Sequence, residues 1–211
     1  MDLWHYEKEL FKQGFNNIAG TDEAGRGPLF GPVVAACVVL PKDFKLDGLT
    51  DSKKLSEKKR DMYYDYITKN SVWATGLVSP EEIDEINIYQ ASKKAMLEAI
   101  EKVKKQIKVD YILTDAMPID YEVPVMPIVK GDAKSITIAA ASVIAKVTRD
   151  NMMYEMDKKY PEYGFKNHKG YPTKKHLEAI NKYGLIKGYR LTYGPVAKIK
   201  ERENAGLSKE N

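Results

Sequence analysis

The sequence predicts an α/β domain built on a mixed β-sheet with helices packed around it. Three observations carry that prediction. Five short runs rich in β-branched or aromatic residues, each bounded by Gly, Pro, Asp or Lys, read as strands at residues 17–23, 33–40, 72–78, 109–114 and 123–129. Segments with a helical apolar period lie between and after them, and strands first, then alternating helices and strands, is the order that lays helices on a mixed sheet. The chain has 211 residues, 43% hydrophobic and 30% charged, enough to bury a core and few enough for one globular unit.

Taken in order, Leu3, Trp4, Tyr6, Leu10 and Phe11 are spaced at roughly helical intervals and predict a short amphipathic helix before the first strand. The second strand holds the single cysteine, Cys37, which excludes a disulfide framework and a cysteine-based zinc site. Ser79-Pro80-Glu81-Glu82 has the form of a capping box with proline at the first helical position, and Ala95, Met96, Ala99, Ile100 and Val103 continue the period. Further helices are expected over 134–156 and 173–183, the second capped by Thr173. Residues 200–211 offer few anchors for a core and are expected to fray. No stretch approaches the ~20 consecutive apolar residues of a membrane span. The first seven residues lack a basic segment followed by an apolar core. The expectation is therefore a monomer of the reducing cytoplasm with no membrane partner.

Charge is unevenly placed. Residues 1–150 carry 21 basic against 23 acidic side chains, whereas residues 151–211 carry 13 against 7. A basic C-terminal third suits a polyanionic partner, a solvated lysine-rich surface being the plainer alternative.

Chemistry enters where the first strand runs out. Asp22-Glu23-Ala24-Gly25-Arg26-Gly27-Pro28-Leu29-Phe30-Gly31-Pro32 sets two adjacent carboxylates beside a tightly folded loop. Successive strand residues point to opposite faces, so Asp22 and Glu23 share one site only if the chain bends there; otherwise they are a solvated strand end. Asp115 follows the apolar Tyr111-Ile112-Leu113, and Asp132 lies in Lys130-Gly131-Asp132-Ala133-Lys134-Ser135. Each alone reads as a cap or turn residue, Asp132 as N-cap of the next helix. Gathered at neighbouring strand ends, four carboxylates raise one another's pKa unless a cation neutralises them. With histidines scattered at His5, His168 and His176, the donors are oxygens and suit Mg²⁺ or Mn²⁺. Two such ions ~3.5–4 Å apart are the usual machinery of in-line phosphodiester cleavage.

Candidate phosphate contacts are Lys53, Lys54, Lys146, His168, Lys169 and Arg190. Lys146 and Arg149 lie three apart on one helix face, although an ion pair with Asp150 is an equal reading. Residues 163–176 interleave aromatics, glycines and cations, a mixture that can hold a phosphate while a ring packs on a sugar or base; an ordinary surface turn is the alternative.

Asp22-Glu23-Ala24-Gly25-Arg26-Gly27-Pro28, Asp51-Ser52-Lys53-Lys54-Leu55, Lys130-Gly131-Asp132-Ala133-Lys134-Ser135, the stretch 139–150 and His168-Lys169-Gly170-Tyr171 together closely resemble bacterial ribonuclease HII. The match runs in order from about residue 17 to 195. The resemblance implies a ribonuclease H-like fold with a C-terminal helical extension: a lead-in at 1–16, a catalytic core at 17–157, a substrate-binding extension at 158–199 and a flexible tail at 200–211. It implies hydrolysis of the RNA strand of RNA–DNA hybrids, and nicking 5′ of single ribonucleotides in duplex DNA to leave 3′-hydroxyl and 5′-phosphate ends. Asp22, Glu23, Asp115 and Asp132 match the catalytic, metal-binding carboxylates. Gly25-Arg26-Gly27 is similar to the element that senses the 2′-hydroxyl through its backbone, and Tyr171 resembles the tyrosine that packs on the deoxyribose after the ribonucleotide. Phe30 stands where a small residue is common, and the glycine loop differs from that of ribonuclease HIII. A binding-only module on the same fold is disfavoured, because carboxylates near a phosphate backbone cost affinity without metal.

Overall fold

The computed structural model describes residues 2–207. The sheet is built from β1 (Ile18–Ala24), β2 (Val33–Val39), β3 (Val72–Val78), β4 (Tyr111–Asp115) and β5 (Val125–Ile128). Its order is β3-β2-β1-β4-β5, with β1–β2 and β2–β3 antiparallel and β1–β4 and β4–β5 parallel. All five expected strands form, within two residues of their predicted ends.

The helices are α1 (His5–Lys12), α2 (Glu57–Lys69), α3 (Pro80–Lys104), α4 (Ile136–Lys159), α5 (Phe165–His168), α6 (Lys174–Tyr183) and α7 (Gly194–Leu207). Every residue of β2 is buried, as expected of a strand covered on both faces. The two-residue period sorts its side chains: Val33, Ala35, Cys37 and Val39 pack with α3, while Ala36 and Val38 pack with α2 and α4. Gly20 of β1 faces α4 so closely that a Cβ would stand 2.3 Å from the carbonyl carbon of Thr137, which lets the helix sit against the strand carrying Asp22. Among the described residues, no helix is long and apolar enough to cross a membrane.

Caps follow the chemistry of the residues that make them. Ser79 accepts from the Glu82 amide, and Thr173 accepts from His176. The N-cap of α4 is Ser135, whose side chain accepts from the Ile138 amide, so Asp132 is not the cap of that helix. Within α3, Asn87 takes φ 68° and ψ 163° and its side chain accepts from the amides of Tyr89 and Gln90, which restarts the helix after a kink. The apolar period of the sequence marks neither α2 nor this kink, while α7 begins within the helical extension expected over 158–199. Helix α7 continues to Leu207, so part of the segment expected to fray is helical; residues 208–211 lie outside the described residues.

The C-terminal segment has a small core of its own, in which Phe165, Ala179, Ile180, Tyr189, Val196 and Ile199 pack with Leu29 and Phe30 from the glycine loop. Phe30 lies 4.3 Å from the Phe165 ring and 5.0 Å from the Tyr189 ring, between centroids. The bulk at that position thus joins the loop to the extension.

Candidate active site

Parallel pairing places the first two carboxylates together. Thr21 of β1 pairs with Thr114 of β4, so the following residues, Asp22 and Asp115, emerge side by side at the same end of the sheet. Asp132 arrives from a single 3-10 turn, Gly131–Ala133, directly ahead of α4. One carboxylate oxygen from each of Asp22, Asp115 and Asp132 lies within 4.8 Å of the others. Two backbone positions beside them are held in the left-handed region without glycine, Ala116 at φ 54° and Lys130 at φ 58°. Such strain is tolerated where the surrounding structure fixes it. Asp115 Oδ1 accepts from the Gly131 amide at 2.7 Å, tying the turn to β4.

Glu23 stands apart from this trio but opens on the same cavity of about 220 Å³, with Asp22, Asp115, Lys53, Lys146, Tyr171 and the Gly25-Arg26-Gly27 loop. Strand β1 keeps its register through Ala24, and the sharp turn starts at Gly25, with φ 99°. The bend that the adjacent pair required therefore falls just after it. Glu23 Oε1 pairs with Arg26 at 3.4 Å, while its buried Oε2 has no hydrogen-bond partner among the described residues.

The electrostatics are those of carboxylates buried close to one another. Burial, then Glu23 and Asp115, raise the Asp22 pKa well above the usual carboxylate range. Burial also raises Glu23, against the pull of Arg26. Asp132 is pushed up to about 6 by burial, Asp115 and Asp51. Burial works against the charge of Lys53, but Asp51, Asp22, Asp132 and Asp115 more than offset it and raise its pKa. Convergent carboxylate oxygens, with a further buried carboxylate oxygen that has no hydrogen-bond partner among the described residues, fit a hard divalent ion.

The comparisons with known proteins point the same way. The family model described as Ribonuclease HII matches residues 19–193. A ribonuclease HII of Bacillus cytotoxicus is 54% identical over 197 residues, covering 93% of this chain and 75% of that relative. The chain belongs to the ribonuclease HII family. Among solved structures, the ribonuclease H2 of Pyrococcus horikoshii is 30% identical with a TM-score of 0.75, covering 89% of this chain and 99% of that one. The RNase HII in a PCNA complex from Archaeoglobus fulgidus is 27% identical with a TM-score of 0.70, covering 84% and 95%. This is a ribonuclease H hydrolase on the ribonuclease H-like fold that the sequence led one to expect.

Against that family frame, the expected substrate contacts divide. Gly25, Arg26, Gly27, Lys53, Lys146 and Tyr171 line the cavity, with Tyr171 42% exposed at its wall. Lys146 also pairs with Asp150 at 2.8 Å, the alternative read from the sequence. Lys54 is exposed outside the cavity wall. Lys169 takes φ 52° and lays its ammonium 4.2 Å from the Tyr154 ring centroid.

Two expectations are corrected. Arg190 is fully buried and cannot meet a phosphate where it stands. Its guanidinium donates to the carbonyls of Gly25, Arg26 and Gly31 at 2.6 to 3.0 Å and to the Tyr193 hydroxyl. His168 is buried as well: Nε2 lies 2.8 Å from the Tyr163 carbonyl and Nδ1 accepts from the Gly170 amide. Its ring stacks 4.1 Å from that of His176, which in turn holds the Tyr171 carbonyl through Nδ1 at 2.8 Å. Both histidines are scaffold for the loop that presents Tyr171. His176 is pushed down to about 4 by burial, so it is uncharged at neutral pH.

Arg149 plays the matching part from α4. It donates to the carbonyls of Phe30, Pro32 and Lys169 and lies where a Cβ on Gly25 would stand 2.1 Å from its Nε, so that a side chain at that left-handed position would be strained and would displace the guanidinium. Two buried guanidiniums thus grip the glycine loop by its carbonyls, with burial pushing Arg149 down to about 10. Asp51 was also missed as a site residue, although it opens a motif that carries the family resemblance. It caps the Ser52–Lys54 turn by accepting from the Lys53 amide and stands beside Asp132.

Proposed function

We propose that this chain is a divalent-cation-dependent endoribonuclease. It hydrolyses the RNA strand of RNA–DNA hybrids and nicks 5′ of single ribonucleotides in duplex DNA, leaving 3′-hydroxyl and 5′-phosphate ends. The observation that carries this reading is the convergence of Asp22, Asp115 and Asp132 within 4.8 Å, in a site whose cavity also opens on Glu23, the Gly25-Arg26-Gly27 loop and Tyr171. Asp22, Glu23, Asp115 and Asp132 would hold Mg²⁺ or Mn²⁺, which would supply charge neutralisation and activation of water for phosphodiester hydrolysis.

The chain's own residues supply orientation and selectivity. The glycine loop has its Gly25 and Arg26 carbonyls bound by Arg190. This fixed backbone can approach a 2′-hydroxyl, the group that tells RNA from DNA. Tyr171 offers a ring on which the next sugar packs. Lys53 and Lys146, both on the cavity wall, hold the phosphates flanking the cut.

The test is cleavage of a DNA duplex containing one ribonucleotide, with and without Mg²⁺ or Mn²⁺, beside an all-DNA control and Asp132→Asn. A single metal-dependent nick 5′ of the ribonucleotide, absent from the control and reduced at least a hundredfold in the variant, is expected. Binding without cleavage in either metal would refute the nuclease reading in favour of a binding module.

A further inference from the structure

Glu7 lies in α1, ahead of residue 19, where the family match begins, yet it is fully buried. It falls on the face of α1 that also carries the buried Leu10, an odd place for a carboxylate. Among the described residues, the groups that hydrogen-bond to it are hydroxyls and an amide. Its Oε1 accepts from the Ser135 hydroxyl at 2.6 Å, the Thr137 hydroxyl at 2.8 Å and the Thr137 amide at 3.2 Å. Its Oε2 is buried with no hydrogen-bond partner among the described residues.

Those donors form the beginning of α4. The first amides of any helix lack acceptors within it. Here Leu3 accepts from Ile136, Glu7 from Thr137 and Ser135 from Ile138, so two of the first three acceptors come from the lead-in. A carboxylate at that end also meets the favourable pole of the helix dipole.

The same residues connect to the carboxylate cluster. The Ser135 amide donates to the Gly131 carbonyl at 2.8 Å, and the Gly131 amide donates to Asp115 Oδ1 at 2.7 Å. The turn that carries Asp132 is therefore clamped at one end by Asp115 and at the other by Glu7.

We propose that Glu7 is a positioning residue of the metal site. By fixing Ser135 and Thr137 it holds the 131–135 turn, and with it Asp132 and Asp115, at the spacing a divalent cation requires. The inference rests on the metal-dependent reading above and assigns that site a part lying outside the family match.

The test is Mn²⁺ affinity of the full chain by calorimetry, together with kcat at saturating Mn²⁺, for wild type, Glu7→Met, Glu7→Gln and Thr137→Val. All are measured well below each variant's unfolding temperature. Methionine keeps the bulk but removes the acceptor, so Mn²⁺ affinity is expected to fall at least tenfold and kcat with it. Glutamine can keep its carbonyl oxygen at the Oε1 position and is expected to restore most of both. Thr137→Val, which removes one hydroxyl donor, is expected to lose affinity by a smaller factor and decides the question should the methionine variant not fold. A folded Glu7→Met with a lower Tm but affinity and kcat within twofold of wild type would make Glu7 purely structural and overturn the proposal, as would a folded Thr137→Val at wild-type affinity. Wild-type protein that binds Mn²⁺ but cuts no ribonucleotide-containing duplex defeats the nuclease reading while leaving the affinity comparison to judge Glu7; wild-type protein that binds no Mn²⁺ overturns the metal site itself.

Discussion

Removing one carboxylate from the cluster should make the metal-free protein more stable while destroying its activity. Asp132 is 6% exposed, and its pKa stands at about 6 against 3.8 for the free side chain, through burial and the like charges of Asp115 and Asp51. A shift of about two units, at ~1.4 kcal/mol per unit, means that ionised Asp132 costs the metal-free fold up to about 3 kcal/mol at neutral pH. The sign follows from the raised value: the folded state takes up a proton more readily than the unfolded one. Its contribution is fully present below about pH 4 and is lost as the pH rises through about 6. Asp132→Asn abolishes that loss. For a chain of this size ~1 kcal/mol moves Tm by ~2–4 °C, so the variant is expected to melt up to about 6–12 °C above wild type in EDTA at pH 7.5. The gain should shrink towards zero as the pH falls below about 4. Circular-dichroism melts at both extremes measure this directly. Millimolar Mn²⁺ should then favour wild type, because a ligand stabilises in proportion to its affinity for the folded state. A variant that melts at or below wild type in EDTA at pH 7.5, or whose gain is independent of pH, would refute the account of the cluster as buried carboxylates held together against their mutual repulsion.

Two further outcomes follow from the packing. Gly20→Ala drives a Cβ to 2.3 Å from the Thr137 carbonyl carbon and 2.4 Å from the Ile138 nitrogen, both backbone atoms that cannot swing aside. The expected cost is ~1–3 kcal/mol or more, with a fall in Mn²⁺ affinity as α4 shifts from β1; melts and calorimetry on the variant check both. Arg190→Lys replaces a planar fork by a compact ammonium and leaves at least one of the Gly25, Arg26 and Gly31 carbonyls unpaired, at ~1–3 kcal/mol each. Because the loop rather than the carboxylates depends on Arg190, cleavage of a ribonucleotide-containing duplex should drop much further than Mn²⁺ affinity, and equal losses in the two assays would count against that division of labour.

Much of the architecture was legible because it rests on local patterns. The five strands are β-branched runs ended by turn residues, and the caps at Ser79 and Thr173 are chemistry of a few adjacent residues. Helix α2 escaped notice because only Tyr63 and Ile67 of its residues are buried, too sparse a stripe to signal a period. The kink at Asn87 depends on a side chain capping its own backbone, which a periodic reading passes over.

The site divides along the same line. As candidates, Asp22, Glu23, Asp115 and Asp132, the glycine loop and Tyr171 were legible in the sequence, because strand-end carboxylates and a Gly-Arg-Gly turn are local motifs. Which of them converge was decided by tertiary structure: parallel pairing of β1 with β4 aligns Asp22 with Asp115, and the turn before α4 delivers Asp132. Folding also sorted the cations. Arg190 and His168 read as phosphate contacts from their types, yet both are buried, where their nitrogens meet backbone atoms of the loops that face the cavity. Glu7 gains its partners only because α1 docks on the start of α4. Sequence alone determined which chemical groups were available, since that is a property of residues. Whether a charged group meets solvent, a neighbouring charge or a backbone carbonyl depends on contacts between distant segments, and for Glu7 and Arg190 those contacts span more than a hundred residues of chain.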